Sequence, residues 1–68
     1  MTDFSKKLKE LRIEKELTQA KLAKLLLVDQ RSISNWEKGT REPDFSTLVM
    51  IAEFFHVTTD YLLGLEND

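Results

Sequence analysis

Residues 29–38 read Asp29-Gln30-Arg31-Ser32-Ile33-Ser34-Asn35-Trp36-Glu37-Lys38. Laid out at about 100° per residue, this stretch makes a short helix with two unlike faces. Gln30, Arg31, Ser34, Asn35 and Lys38 share roughly 140° of arc and carry many hydrogen-bond donors but no carboxylate. Ile33 and Trp36 point the other way. A donor-rich stripe suits the edges of base pairs in a DNA major groove, where Arg pairs with guanine and Asn or Gln with adenine. The same residues also suit an ordinary solvated face, and the stripe alone favours that reading. The flanking chain decides.

Immediately upstream, Thr18 is placed to cap a helix running from Gln19 to Leu26, with Leu22, Ala23 and Leu26 as its buried face. Ala23 is small enough to let a neighbouring helix approach. A connection of about three residues leads to Asp29, whose carboxylate can accept from the free amides of the next helix. Two short helices joined by a tight turn, the second bearing the stripe, form a helix-turn-helix, with the second helix in the groove and the first across the backbone. Further upstream, residues 3–16 show helical spacing at Phe4, Leu8, Leu11 and Arg12, with Thr2 or Asp3 as cap. Lys6, Lys7, Lys9, Glu10, Glu14 and Lys15 are expected to coat the outside, and Ile13 falls off the buried face. Downstream, Gly39 favours a left-handed helix end. Thr40 to Pro43 is a loop, since the residue before proline avoids helix. Asp44 caps a helix from Phe45 to Phe55 with Leu48, Ile51, Ala52 and Phe55 inward. Val57 enters the core, and Thr58 caps a last helix, Thr59 to Leu63, ending at Gly64. Residues 65–68 are expected to fray. The expected architecture is all-α: one domain over 1–68, a compact five-helix bundle with a central helix-turn-helix at about 18–38.

Composition agrees with a small globule, with 68 residues that are 41% apolar. Cysteine is absent, which excludes disulfides, thiolate metal sites and thiol nucleophiles. The apolar runs are too short to span a bilayer and the first residues are no signal peptide; a cytoplasmic protein, nucleoid-associated when bound, is expected. The net charge of −2 conceals an asymmetry: residues 1–41 hold all ten Lys and Arg against six acids, and 42–68 hold six acids and no base. Separation of this kind accompanies surfaces that face a polyanion on one side.

These segments strongly resemble the Xre family of Cro/phage-repressor-type helix-turn-helix domains. The matching stretches are LKELR at 8–12, TQAKLAKLL at 18–26, ISNWEKG at 33–39, REPD at 41–44 and VTTDYLLG at 57–64. The resemblance implies a lambda-repressor-like fold that binds operator DNA as a symmetric dimer and regulates transcription, more often as a repressor. By position, it implies that Gln30, Arg31, Ser34 and Asn35 meet bases or adjoining phosphates. Gln19, at the start of the second helix, would hold a phosphate, and Lys38, Thr40 and Arg41 would grip the backbone beyond the recognition helix. Arg12 and Glu37 match an ion pair between the first and third helices; contact of Arg12 with phosphate is the alternative. Leu27 and His56 stand where family members commonly have glycine.

Beyond this set, Trp36 could stack on a base, but its place beside Ile33 favours a core anchor. His56 is the sole histidine, so one chain can build neither a histidine-based metal cluster nor a Cys/His dyad. Asp60, next to Tyr61, fits a helix-dipole partner better than an acid–base group. No catalytic constellation, cofactor site, metal site or small-molecule site is expected. Val49, Met50, Phe54, Tyr61 and Leu65 exceed what so small a core takes up. They suggest either scattered exposure or a two-fold dimer contact that sets two recognition helices roughly 34 Å apart. The alternative function is a protein-interaction module, antitoxin-like, using the acidic apolar surface of 42–68.

Overall fold

The computed structural model describes residues 3–66 as five helices: α1 (Phe4–Glu14), α2 (Gln19–Leu26), α3 (Gln30–Lys38), α4 (Phe45–Phe55) and α5 (Thr59–Leu62). Four helices start as their side chains dictate. Thr18 accepts from the Lys21 amide, Asp29 from Arg31, Asp44 from Thr47 and Thr58 from Tyr61, each from an extended backbone that aims the oxygen at the first turn. Hydrogen bonding by the Thr47 side chain and then by its amide, with a smaller effect from the Ser46 hydroxyl, pulls the Asp44 carboxyl below its usual pKa. Asp3 differs. Its backbone is not extended and its carboxylate makes no cap bond. Thr2, the other candidate cap, and residues 67–68 lie outside the described residues.

The helix ends share one device. At each, a residue turns left-handed and its successor's amide reaches back five residues, as in the Leu17 to Arg12, Val28 to Ala23 and Val57 to Ala52 bonds. Gly39 and Gly64 supply the left-handed residue at two ends. The other three are Glu16 (φ 58), Leu27 (φ 60) and His56 (φ 58). This turn ends α1 at Glu14 rather than 16, and the Gly64 turn ends α5 at Leu62 rather than Leu63. After each non-glycine turn comes a half-buried apolar residue and then a cap: Leu17-Thr18, Val28-Asp29 and Val57-Thr58. Three linkers therefore repeat one plan, in which reversal, apolar plug and cap follow in succession.

Leu27 is 91% exposed, so its side chain returns almost no packing for a left-handed backbone that disfavours L-residues by about 1–2 kcal/mol. Glycine there relieves the strain but loosens the unfolded chain. Leu27→Gly is therefore expected to stabilise the fold by about 0.5–1 kcal/mol net, read as a higher urea midpoint at unchanged slope.

One core gathers all five helices: Phe4, Leu8 and Leu11 from α1, Leu22, Ala23 and Leu26 from α2, Ile33 and Trp36 from α3, Ile51, Ala52 and Phe55 from α4, and Leu62 from α5. Leu48 and Val57, expected inside, are half-buried against it. Of the five apolar residues expected in surplus, Val49 and Leu65 are exposed, whereas Met50, Phe54 and Tyr61 are half-buried against the core. Phe54 packs edge-on to Phe55. Lys7 is not plain solvation, because its Nζ lies 4.4 Å from the centre of the Tyr61 ring and ties α1 to α5. Leu65 and Glu66 are bonded, the former to the Asp60 carbonyl and the latter to the Thr58 hydroxyl. Phe45 and Leu25 are also exposed apolar residues; Phe45 continues the α4 stripe one turn past the core, where it borders a groove with Phe4, Pro43 and Leu48.

Candidate nucleic-acid interface

The interface is built on α3, which the core holds from beneath. Ile33 is wholly buried, and Trp36 is buried with its ring edge-on to Phe4 at 6.5 Å and 71°. With that face anchored, the opposite one is turned outward. Gln30, Arg31 and Lys38 are exposed and Ser34 and Asn35 are half-buried. The structure therefore brings the stripe residues onto one accessible face.

The loop after α3 is stitched to that face through Asn35. Its carbonyl accepts from the Thr40 amide at 3.0 Å, the Arg41 amide at 3.4 Å and the Thr40 hydroxyl at 3.2 Å. The Thr40 hydroxyl also lies 3.2 Å from Asn35 Oδ1, which leaves the Asn35 Nδ2 donors without a partner among the described residues. Thr40, Arg41 and Lys38 thus gather at the C-terminal end of α3, where two cations and a hydroxyl can address a phosphate.

Beneath this end lies a polar network joining three helices. Arg12 Nε donates to Glu37 Oε2 at 2.7 Å and Nη2 to Oε1 at 3.1 Å, while Nη1 donates to the Leu17 carbonyl at 2.8 Å. The two side chains are 13% and 4% exposed. The hydrogen bond to Glu37 raises the Arg12 pKa above its ordinary value; burial opposes this but is the smaller effect. No buried side-chain nitrogen or oxygen among the described residues lacks a partner, as a low-dielectric site requires. The Arg12 bonds use three of the five guanidinium N–H groups, one on each nitrogen, and hold Arg12 between Glu37 and the Leu17 carbonyl. Gln19, expected to hold a phosphate, directs its amide inward, Nε2 donating to Glu37 Oε1 at 3.1 Å. Helical periodicity carries no sign of that bond, which spans 18 residues of sequence.

Among the described residues no group of His, Asp or Glu is arranged to hold a metal ion, and no helix is long and apolar enough to cross a membrane.

A helix-turn-helix family model matches residues 8–62. The transcriptional activator BcrR of Enterococcus faecalis is 45% identical over 65 residues, which are 96% of this chain and 32% of that protein. The transcriptional regulator ImmR of Bacillus subtilis (strain 168) is 41% identical over 64 residues, 94% of this chain and 50% of that one. The chain thus spans about a third to a half of these curated relatives. Among solved structures, the P22 c2 repressor in complex with synthetic operator 9T matches with a TM-score of 0.85 at 27% identity, over 93% of this chain and 96% of that one. A transcriptional regulator from Listeria innocua matches with a TM-score of 0.89 at 29% identity, over 100% of this chain and 64% of that one. With five helices in family order, and with the match running from α1 into α5, this chain belongs to the Xre (Cro/phage-repressor) type of helix-turn-helix family.

Proposed function

We propose that this chain binds double-stranded DNA and regulates transcription, reading a palindromic operator as a homodimer with α3 in the major groove. The observation that carries the reading is the outward, carboxylate-free donor stripe of α3 over a buried Ile33 and Trp36. Support comes from a fold shared with a repressor solved on its operator. In this reading Arg31 addresses guanine, Gln30 and Asn35 address adenine or, through free amide donors, an acceptor edge, and Ser34 meets an adjoining base or phosphate. Lys38, Thr40 and Arg41 hold the backbone. Val49 and Leu65, exposed on the lysine- and arginine-free portion of the chain, are the accessible part of the dimer contact; Met50, Phe54 and Tyr61 form its half-buried floor.

Selecting duplexes from a random pool tests the proposal, since it returns motif, symmetry and half-site spacing together. A palindrome with half-sites about one helical turn apart is expected. On that site, Arg31→Ala should lose about 1–3 kcal/mol and relax the preference at one position. Lys38→Ala should weaken all duplexes alike and reduce the salt slope by about one. Three exposed apolar residues in the acidic portion, Phe45, Val49 and Leu65, favour the second reading, an antitoxin-like protein-interaction module. A stoichiometric protein partner together with no selected duplex would establish it instead.

A further inference from the structure

We infer that Phe45 is the anchor of a two-fold contact between copies of this chain, its ring seated in the partner copy's groove between Phe4, Glu42, Pro43, Leu48 and Leu63. The inference rests on the homodimer reading above for its consequence on DNA, but on the free protein for its geometry.

Phe45 is the first residue of α4, set in place by the Asp44 cap, and at 88% exposure it is the one exposed aromatic ring among the described residues. A ring in water gains by leaving it. The groove beside it has a volume of about 130 Å³ and walls that are apolar apart from Glu42. An apolar cavity of about 150 Å³ accepts a benzene molecule, so the groove has room for one phenyl ring and little more. Phe45 stands on its rim and leaves it open; the ring of a second copy fills it. A two-fold axis makes such a contact reciprocal, residue i meeting j and j meeting i, so both rings leave water together. Val49, one turn further along α4 on the same side and 46% exposed, extends the contact. A segment of another protein could also fill the groove, but it would use Phe45 only as a wall.

The size of the contact sets when it forms. An aromatic ring buries about 150–250 Å², so two rings and the walls that receive them cover roughly 600–1,000 Å² in all, short of the ~1,200 Å² at which specific interfaces become stable. Glu42 and Asp44, exposed beside the groove, add like charge on both copies that Arg41 offsets only in part. The free chain is therefore monomeric at ordinary concentrations. DNA changes this. Glu42 and Pro43 follow directly on Thr40 and Arg41, so the groove opens next to the segment assigned to the phosphate backbone. Two copies on neighbouring half-sites meet at an effective concentration on the order of millimolar, enough for a contact of this size.

Phe45→Ser tests this in the full chain; a ring so exposed contributes little to the fold, so the urea midpoint should not move. Wild type and variant are titrated onto the selected palindrome and onto a duplex carrying one half-site. We expect the second wild-type copy to bind the palindrome roughly tenfold tighter than the first, as for one well-packed anchor at an interface. The variant should fill the two half-sites independently, with its affinity for the single half-site unchanged. Independent binding by wild type, cooperative binding by the variant, or a loss on the single half-site overturns the inference. A second measurement needs no DNA: in sedimentation from about 10 μM to about 1 mM, wild type should pass from monomer to dimer and the variant should stay monomeric. Added salt should favour the wild-type dimer, because it screens the like-charged rims. A wild type that stays monomeric throughout overturns the inference, as does association that weakens in salt, which would match the acidic rim to a basic surface instead. If wild type selects no palindrome, the operator reading falls alone, and sedimentation still decides where Phe45 sits.

Discussion

Replacing Glu37 with alanine is expected to lower the unfolding free energy by about 3–5 kcal/mol, the usual consequence of removing one partner from a buried pair. Glu37 accepts three of the described hydrogen bonds, two from Arg12 and one from Gln19. Alanine strands those donors together. The guanidinium stays charged at any accessible pH and is too enclosed, at 13% exposure, to recover its water shell. At roughly 0.05–0.15 kcal/mol of stability per residue, a domain of 68 residues has about 3–10 kcal/mol in all, so the loss removes a large fraction of it. Urea unfolding followed by circular dichroism measures the loss. The double variant Arg12→Met with Glu37→Leu should be markedly more stable than Glu37→Ala, because no charge is left buried alone. A Glu37→Ala midpoint equal to that of wild type would show that the pair contributes nothing.

Much of this molecule is legible in its sequence because the informative signals are local. Thr18, Asp29, Asp44 and Thr58 announce helix starts, since a short oxygen-bearing side chain before an apolar-periodic run has one good use. The stripe of α3 is legible because Ile33 and Trp36 fix which side is buried, and the remaining positions follow from the helical period. Helix ends are harder. Gly39 and Gly64 announce two of them, but Glu16, Leu27 and His56 do the same job without a residue that favours it. Their trace is the apolar residue followed by a cap, a pattern that also occurs by chance. Contacts between distant side chains leave weaker traces still. The Lys7 ammonium over Tyr61 and the Gln19 bond to Glu37 depend on how helices cross, and no periodicity within one helix encodes that. Gln19 is the instructive position: an exposed-looking glutamine at a helix start suggests an outward donor, and only the crossing of α2 with α3 brings its amide onto Glu37 as well.

Trp36→Ala should match Glu37→Ala in size, by a different route. The indole is 7% exposed and lies edge-on to Phe4 beneath the stripe. Removing so large a buried ring typically loses about 3–5 kcal/mol, through lost transfer energy and the cavity left behind. Because Trp36 and Ile33 are the two buried residues of α3, the loss falls on the helix that carries the stripe. Duplex binding should therefore fall in step with folding, although the ring touches no base. Trp36→Phe keeps an aromatic edge for Phe4 and should recover most of the stability. Trp36 is the only tryptophan, so the variants are followed by circular dichroism rather than fluorescence. A Trp36→Ala protein that melts like wild type yet no longer binds the selected duplex would place the indole on a base instead. In that case the outward and inward faces of α3 would have to be exchanged, and every assignment on the stripe with them.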